Sequence, residues 1–153
     1  MKTNATRLLD LKNISYQEYD LKIKEFTSGI NLSKLLNKEP NIVYKTLVTI
    51  SSNNKYYVFV IPVNKELNLK KCAKIVNEKK IEMLKQKDLY NLTGYYHGGC
   101  SPIGMKKTFP TYFNNTVLNN PNIIINGGKI GYQIELNYFD VKEIFNYREE
   151  ELI

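Results

Sequence analysis

Apolar residues recur along the chain with two different periods, and each period indicates a different secondary structure. Spacings of three and four residues place apolar side chains on one face of a helix, whereas alternation places them on one face of a strand. The helical spacing predicts five helices. They cover residues 3–12, 32–37, 68–76, 85–92 and 137–145.

Three polar residues are suited to cap these helices. Thr3, Asn68 and Asn137 stand where a side-chain oxygen can accept a hydrogen bond from a free backbone N–H of the first turn. Pro40 ends the second helix. Lysines occupy the polar face of the helix at 68–76, which is the usual composition of a solvated face but also suits contact with phosphates.

Seven segments have the alternation or the continuous apolar run of a strand. They are residues 16–23, 43–51, 56–61, 79–84, 108–113, 122–125 and 130–136. The second and third are joined by a short turn, so they predict a hairpin whose second strand is buried on both faces. Lys45 and Leu47 share one face of the first hairpin strand. The Lys45 ammonium is therefore either exposed at the end of a snorkelling side chain or positioned in a site.

The C-terminal third of the chain completes the fold prediction. Gln133 and Glu135 alternate with apolar residues, so we expect them to face away from the core. Residues 126–129 read NGGK and predict a turn, and we expect the acidic tail, 148–151, to be frayed. Strands outnumber long helices and are partly joined by hairpins. The sequence therefore predicts an α+β fold in a single domain covering residues 1–153.

Composition and length are those of an ordinary globular protein. Of the 153 residues, 42% are hydrophobic and 24% are charged, a balance typical of a chain with a packed core. No apolar run approaches the roughly 20 residues needed to span a bilayer, and the N-terminal residues lack the apolar segment of a signal peptide. We therefore expect a cytoplasmic protein that does not associate with a membrane.

The net charge of +7, from 22 basic and 15 acidic residues, favours an anionic partner such as a nucleic acid. The charge has a second explanation, because the chain is also rich in lysine, asparagine, isoleucine and tyrosine, as proteins of AT-biased genomes are. The charge alone does not decide between the two.

Cysteine and histidine are scarce, and this excludes several kinds of site. The two cysteines, Cys72 and Cys100, do not suggest a disulfide in the reducing compartment expected here. With one histidine the chain lacks the ligands of a Cys/His zinc site, and we expect neither a metal nor another cofactor. His97 lies close in sequence to Cys100 and Ser101, so a local nucleophile and base remain an open alternative.

A glycine-rich segment, residues 94–107, reads GYYHGGCSPIGMKK and is the leading candidate for a binding loop. Gly98, Gly99 and Gly104 let backbone N–H groups approach a ligand closely, and consecutive N–H groups hold an anion or a developing oxyanion. The segment lacks the spacing of the nucleotide-binding glycine motifs. An ordinary surface turn is the alternative.

Four separated segments together resemble one family. They read YKTLV at 44–48, NLKK at 68–71, TGYYHGGCSPIGMKK at 93–107 and NGGKIGYQIEL at 126–136. In this order they are similar to the YbaK/EbsC family of bacterial aminoacyl-tRNA deacylases, whose best-known activity is the deacylation of Cys-tRNA(Pro). The editing domain inserted in bacterial prolyl-tRNA synthetases is related. The resemblance covers nearly the whole chain and is weakest at 19–40.

The resemblance implies a catalytic role for Lys45, which matches the family's invariant lysine, and for the loop glycines Gly98 and Gly99. It implies contacts with the substrate for a larger set of residues. These are Tyr19, Phe26, Thr46, Cys100, Ser101, Pro102, Gly104, Asn126, Gly127 and Gly128. Two positions depart from the family, because Asn126 stands where serine is common and Cys100 replaces an aliphatic residue.

The resemblance also implies a fold and a function. The fold is a twisted mixed sheet that curls into a partial barrel with helices around it. The function is trans-editing, the hydrolysis of the ester in a mischarged tRNA, with the substrate's own ribose hydroxyl or cysteine thiol assisting in place of a protein nucleophile. The partners are the acceptor end of the tRNA and, as for some relatives, prolyl-tRNA synthetase.

Two alternatives remain at this point. A non-catalytic module would bind an aminoacyl or nucleotide end in the same pocket without turnover, and a hydrolase of another kind would use Cys100 or Ser101 with His97. We expect tRNA to bind chiefly through charge, with an affinity that falls steeply with salt. The lysines expected to contact it include Lys70, Lys71, Lys106 and Lys107.

Overall fold

Eight strands in two sheets form the frame of the protein in a computed structural model that describes residues 2–153. In chain order the strands are β1 (Gln17–Asp20), β2 (Tyr44–Ser51), β3 (Tyr56–Pro62), β4 (Ile81–Met83), β5 (Thr111–Asn114), β6 (Asn122–Lys129), β7 (Tyr132–Asn137) and β8 (Arg148–Glu150). One sheet has the order β1-β7-β6 and is antiparallel. The other has the order β4-β2-β3-β5-β8.

The two sheets are joined at one point, and the larger sheet is mixed. A parallel bridge pairs Val43, directly before β2, with Ile124 of β6. β3, β5 and β8 run parallel, whereas β2 pairs with β3 and β4 in antiparallel fashion. The strands thus make an open surface around a shared core and do not close into a barrel. The prediction of an α+β fold with a mixed sheet is confirmed.

Four α-helices flank the sheets within residues 2–153. They are α1 (Asn4–Leu11), α2 (Gly29–Leu36), α3 (Leu69–Ile75) and α4 (Gln86–Thr93). Thr3 and Asn68 cap α1 and α3 as predicted. α2 begins about one turn earlier than its apolar spacing suggests, because the Ser28 side chain accepts a hydrogen bond from the Asn31 N–H at 3.1 Å. None of the helices in this part of the chain has the length and apolarity needed to cross a membrane.

The last predicted helix is a shorter 3₁₀ segment, Tyr138–Glu143. Asn137 caps it as expected, with its side chain accepting a hydrogen bond from the Phe139 N–H at 2.9 Å. Pro40, predicted to end α2, is the first residue of another 3₁₀ segment that leads into β2. The fixed φ of proline suits the first position of such a turn.

The core lies on both faces of the larger sheet. Val58, Phe59, Val60 and Ile61 of β3 are all fully buried, which confirms that this strand is covered on both sides. Val58 and Val60 pack toward the smaller sheet, and Phe59 and Ile61 pack toward α3. An apolar run without alternation places apolar side chains on both faces of a strand. Exposing either face to water is unfavourable, so both faces are covered by other parts of the chain.

The prediction that residues 148–151 are frayed is wrong. This segment forms β8, which pairs in parallel with β5. Leu152 behind it is fully buried, and its N–H donates to Asn114 Oδ1 at 3.0 Å. Glu149 accepts a hydrogen bond from the buried Tyr138 and forms a salt bridge with Lys142 at 2.8 Å, so the fold provides partners for one of the acidic side chains. The acidic residues of this segment led to the prediction of a frayed tail, whereas contacts with residues distant in sequence stabilise it as a strand.

The prediction of a turn at residues 126–129 is also wrong. The segment continues β6 with a bulge, and the turn to β7 lies at 130–131. A Cβ on Gly127 would lie 2.6 Å from the ring of the buried Tyr132. Glycine occurs at this position because the strand packs closely on an aromatic ring.

Candidate active site

A cleft of about 410 Å³ opens beside β2, at the place where the two sheets separate. β2 pairs with β4 only from Thr49 to Ser51, and it meets β6 only at the bridge before its first residue. The middle of β2 therefore has no neighbouring strand on its outer side. The cleft occupies this gap, and residues of α2, α4 and the glycine loop form its other walls.

The backbone of Thr46 points into this gap. Val43 C=O and Ser51 N–H both bond on the β3 side, so odd-numbered residues along β2 direct their polar groups to β3 and even-numbered residues to the outer edge. On that edge Val48 C=O accepts from the Leu84 N–H at 3.0 Å. The N–H and C=O of Thr46 thus face the cleft. Its hydroxyl is buried and has no hydrogen-bond partner among residues 2–153.

Lys45 contributes a partly dehydrated positive charge to the cleft. It lies on β2 opposite Ile61 and is half-buried. Burial lowers the pKa of its ammonium, and the Glu66 carboxylate acts in the opposite direction. In the described part of the chain this ammonium forms no salt bridge. A cation that is partly shielded from water and lacks a close counterion attracts a bound negative charge more strongly than a hydrated one.

The glycine loop brings backbone donors to the cleft. Gly94 ends α4 in the left-handed conformation, and Gly98 has a φ of +89°, which glycine adopts without strain. Gly98 and Cys100 line the cleft. Their N–H groups have no acceptor among residues 2–153, whereas the Gly99 N–H donates to Tyr96 C=O at 3.0 Å. Two residues of the loop that line the cleft therefore have N–H groups without a protein acceptor.

The loop rests on the turn between β6 and β7. A Cβ on Gly99 would lie 2.7 Å from the carbonyl carbon of Lys129 and 2.8 Å from the nitrogen of Ile130. Only glycine permits so close an approach of two backbones. The same region brings Asn126 to the cleft wall, where its Oδ1 accepts a hydrogen bond from the Gln133 amide at 2.5 Å.

An aromatic pair flanks the cleft on the side of the loop. The rings of Phe26 and His97 stack with centroids 4.5 Å apart and planes 18° from parallel. Both residues line the cleft, and Phe26 is 55% exposed. The pair presents an accessible flat surface suited to a planar ligand group.

Six of the residues predicted to form the site line this single cleft. They are Phe26, Lys45, Thr46, Gly98, Cys100 and Asn126. The other seven lie elsewhere. Gly99 and Gly128 border a second cavity, and Pro102 and Gly104 border a third. Ser101 and Gly127 are buried, and Tyr19 lies on β1. The Tyr19 hydroxyl donates to Glu135 at 2.6 Å. For all thirteen residues, contact with a substrate stays a prediction.

Residues 27–144 match the family described as the aminoacyl-tRNA editing domain, which is more than half of the chain. The chain belongs to this family. The matched region contains Lys45, the whole glycine loop and every cleft residue except Phe26. The resemblance drawn from the sequence motifs is confirmed.

Known proteins similar to this editing domain agree in sequence and in fold. It is 46% identical over 136 residues to a protein of Enterococcus faecalis named as the Cys-tRNA(Pro)/Cys-tRNA(Cys) deacylase EbsC, covering 88% of this chain and 83% of that protein. A crystal structure described as a trans-editing enzyme for prolyl-tRNA synthetase matches with a TM-score of 0.82 at 18% identity, over 99% of this chain and 98% of that one. A protein described as hypothetical matches with a TM-score of 0.88 at 17% identity, over 98% and 99%. These two structural matches show the fold.

Cys100 and Ser101 of the editing domain do not have the surroundings of a nucleophile. Burial raises the pKa of the Cys100 thiol to about 12, so the thiol is protonated at neutral pH. Ser101 is fully buried, and its hydroxyl accepts the Ile103 N–H at 3.2 Å. Among the described residues neither side chain is hydrogen-bonded to His97, so the geometry does not support a local nucleophile and base.

We expect Cys100→Ala to retain ester hydrolysis within about 10-fold of wild type, because a wall residue that loses one sulfur atom changes packing only. Loss of a true nucleophile lowers kcat by about 10⁶-fold. Initial rates of deacylation at equal concentrations of folded protein measure the difference. Cys72→Ala is the matched control, because Cys72 is buried against α3 and does not line the cleft. A loss of activity confined to the Cys100 variant and approaching the nucleophile range would restore the covalent alternative.

Gln133 is the site residue that the strand pattern misplaces. Alternation assigns it to an exposed face with Glu135, yet it is 1% exposed and lines the cleft. The face of β7 that carries it borders the cleft, so a polar side chain there does not indicate solvent. One signal was present in the sequence: Asn126 and Gln133 are register partners in the β6–β7 hairpin, and two facing amides in an apolar hairpin suit a polar site.

Proposed function

We propose that this editing domain hydrolyses the ester between a mischarged amino acid and the 3′ end of tRNA, with Cys-tRNA(Pro) as its main substrate. The observation that carries the proposal is that one small cleft is lined by Lys45, by Gly98, whose N–H has no protein acceptor, and by the unpaired edge of β2. The Enterococcus faecalis relative supports the choice of substrate, since it is named for deacylation of Cys-tRNA(Pro) and Cys-tRNA(Cys).

The reaction requires orientation and charge stabilisation more than a strong nucleophile, because an aminoacyl ester is already activated. Its carbonyl oxygen becomes negative as water adds. The N–H groups of Gly98 and Cys100 are free to hold that oxygen. The Lys45 ammonium supplies positive charge to the same cleft, either at the oxyanion or at the oxygen atoms of the terminal nucleotide.

The cleft also has acceptors for the substrate's α-ammonium group. The buried hydroxyl of Thr46 has no partner within residues 2–153, and the Thr46 C=O points to the outer edge of β2, where β4 does not pair with it. Apolar side chains form the interior beside them, among them Leu32, Val43, Val63 and Leu89. A volume of about 410 Å³ is near the lower end of the usual range for ligand cavities, about 300–1,000 Å³. These features suit a small acyl side chain with the ribose that carries it.

We infer that a group of the substrate, and not a protein side chain, assists the attack of water. Within the described chain, the residues that line the cleft include no Asp or Glu, and the ring of His97 is stacked on Phe26. The vicinal ribose hydroxyl of the terminal adenosine lies next to the reacting carbonyl in any aminoacyl-tRNA, and the thiol does so in Cys-tRNA. Either group is in position to assist the attack of water.

The proposal also covers the macromolecular partners of the protein and its place in the cell. The whole chain, 1–153, acts in trans as one domain in the cytoplasm and receives the acceptor end of the tRNA without a cofactor. The net charge of +7 favours tRNA. The fold match to a protein described as a trans-editing enzyme for prolyl-tRNA synthetase makes that synthetase the first protein partner to test.

A panel of preformed Cys-, Ala- and Pro-tRNA(Pro) tests the substrate. We expect Cys-tRNA(Pro) to be hydrolysed fastest and Pro-tRNA(Pro) to be slower by at least about 10-fold, because the proline ring adds bulk beside the reacting carbonyl in a small cleft. Reactions without protein give the spontaneous rate of each ester. Equal accelerations for all three esters would contradict an acyl-selective cleft, and acceleration of none would contradict the proposed function.

A further inference from the structure

A second groove of about 610 Å³ lies behind the glycine loop. The loop separates it from the cleft, because Gly98 lines the cleft and Gly99 lines the groove. Adjacent Cα atoms are about 3.8 Å apart, so only one thickness of backbone divides the two. A chain-like ligand with one end in the cleft therefore reaches the groove by crossing the loop.

The groove carries an excess of positive charge. Lys22, Lys24 and Lys129 border it and are exposed, and Asp20 is the acidic residue among its lining residues in the described chain. The Asp20 carboxylate accepts the backbone N–H of Lys22 at 3.0 Å. None of the three lysines forms a salt bridge within residues 2–153. Their ammonium groups are thus available to an anionic ligand.

An exposed aromatic stack stands at the same groove. Tyr96 borders it, is 66% exposed, and stacks on Tyr90 with ring centroids 4.3 Å apart and planes 14° from parallel. The Lys106 ammonium lies 5.0 Å from the centre of the Tyr90 ring. Solvent-exposed aromatic rings beside unpaired lysines are the combination with which proteins bind single-stranded nucleic acid, by base stacking and phosphate contact.

We propose that this groove binds the single-stranded nucleotides that precede the terminal adenosine of the tRNA acceptor end. Lys22, Lys24 and Lys129 contact the phosphates, and Tyr96 stacks on a base. The inference rests on the proposed function, which places the terminal aminoacyl-adenosine in the cleft on the other side of Gly98. Contact of Lys71 with tRNA stays a prediction; Lys71 does not border the groove, and its ammonium donates a hydrogen bond to the Ile153 carbonyl at 2.7 Å.

Binding of an oligoribonucleotide without an attached amino acid, ACCA, tests the groove without hydrolysis. We expect Tyr96→Ala to weaken binding by about 10-fold, while Tyr96→Phe keeps the stacking ring and binds within about 2-fold of wild type. We expect the double substitution Lys22→Gln with Lys129→Gln to weaken binding by a similar factor. It also lowers the slope of log Kd against log salt by about 1.4, the value for two phosphate contacts on a single strand.

The matched control is Lys55→Gln with Lys80→Gln. It removes the same charge from exposed lysines that border neither cavity. We expect this control to bind ACCA as the wild type does. An equal loss in both double variants, an unchanged Kd for Tyr96→Ala, or displacement of the RNA by an acidic peptide such as poly-glutamate at the same concentration would each overturn the proposal.

Hydrolysis separates the groove from the proposed function. With cysteinyl-adenosine, which ends at the cleft, we expect the Lys22 and Lys129 double variant to react like the wild type. With Cys-tRNA(Pro) we expect its KM to rise by about 10-fold and kcat to stay unchanged. Equal losses on both substrates would overturn the groove proposal. If the wild type hydrolyses neither ester, the function fails, and the ACCA measurement still decides the groove.

Discussion

Replacing Lys45 by alanine is expected to lower kcat/KM for Cys-tRNA(Pro) by about 100-fold or more, the usual cost of removing one group that stabilises a developing oxyanion. Lys45 is half-buried and lines the cleft, and its ammonium forms no salt bridge among residues 2–153, so its charge is available to a bound ester. Single-turnover deacylation of preformed Cys-tRNA(Pro) measures the loss.

The matched control for Lys45 is Lys55→Ala, which removes an exposed lysine from the tip of the β2–β3 hairpin. We expect it to hydrolyse the ester like the wild type. Circular dichroism and thermal unfolding establish that both variants are folded. A folded Lys45→Ala protein with an undiminished rate would exclude a catalytic role for this residue.

The second large effect is expected for Gly99→Ala. The added Cβ would lie 2.7 Å from the backbone carbon of Lys129, and a backbone cannot yield as a flexible side chain does. The loop must therefore move away from the β6–β7 turn and carry Gly98 with it. We expect the free energy of unfolding to fall by about 1–3 kcal/mol and kcat/KM to fall by about 100-fold, because a shift of about 1 Å in a reacting geometry has that cost.

Gly94→Ala is the control that separates stability from geometry. Gly94 has a φ of +85°, so alanine is strained there by about 1–2 kcal/mol. The nearest atoms to its new Cβ belong to the flexible side chain of Lys106, at 3.3 Å. We expect this variant to lose stability and keep activity. Denaturant unfolding and deacylation rates measure both variants, and equal activity losses would contradict a positional role for Gly99.

Helices and strands whose formation depends on residues close in sequence could be predicted. β2, β3, α1 and α3 lie within one or two residues of their expected bounds, because apolar periodicity and the caps Thr3 and Asn68 are local signals. The mixed α+β architecture followed from the same pattern and from the family motifs. The three-dimensional order of the strands required pairings that no local pattern contains.

The errors occur where distant contacts decide the structure. β8 exists because β5 offers it a parallel edge, and Leu152 behind it fills a buried position. Gly127 lies in a strand that pairs with β7, and it is glycine because the ring of Tyr132, across the hairpin, leaves no room for a Cβ. Gln133 is buried because its face of β7 borders the cleft.

The features of the candidate site also fall into those that sequence motifs predict and those that depend on distant contacts. Lys45 and the loop glycines were found through motifs whose order along the chain is recognisable. The unpaired edge at Thr46 was not, because it arises where the two sheets separate. The amide pair of Asn126 and Gln133 was not predicted either, because it depends on the register of β6 against β7. The second groove was also beyond the sequence, since its lysines come from segments more than 100 residues apart, at Lys22 and Lys129.

Turnover of Cys-tRNA(Pro) by catalytic amounts of the protein tests the central claim most directly. The substrate is supplied in large excess, and release of cysteine is followed against the spontaneous rate. We predict that each protein molecule releases many equivalents of cysteine, at a rate proportional to protein concentration. Retention of intact Cys-tRNA(Pro) in a stable complex, with hydrolysis no faster than without protein, would identify a binding module and contradict the proposed hydrolase.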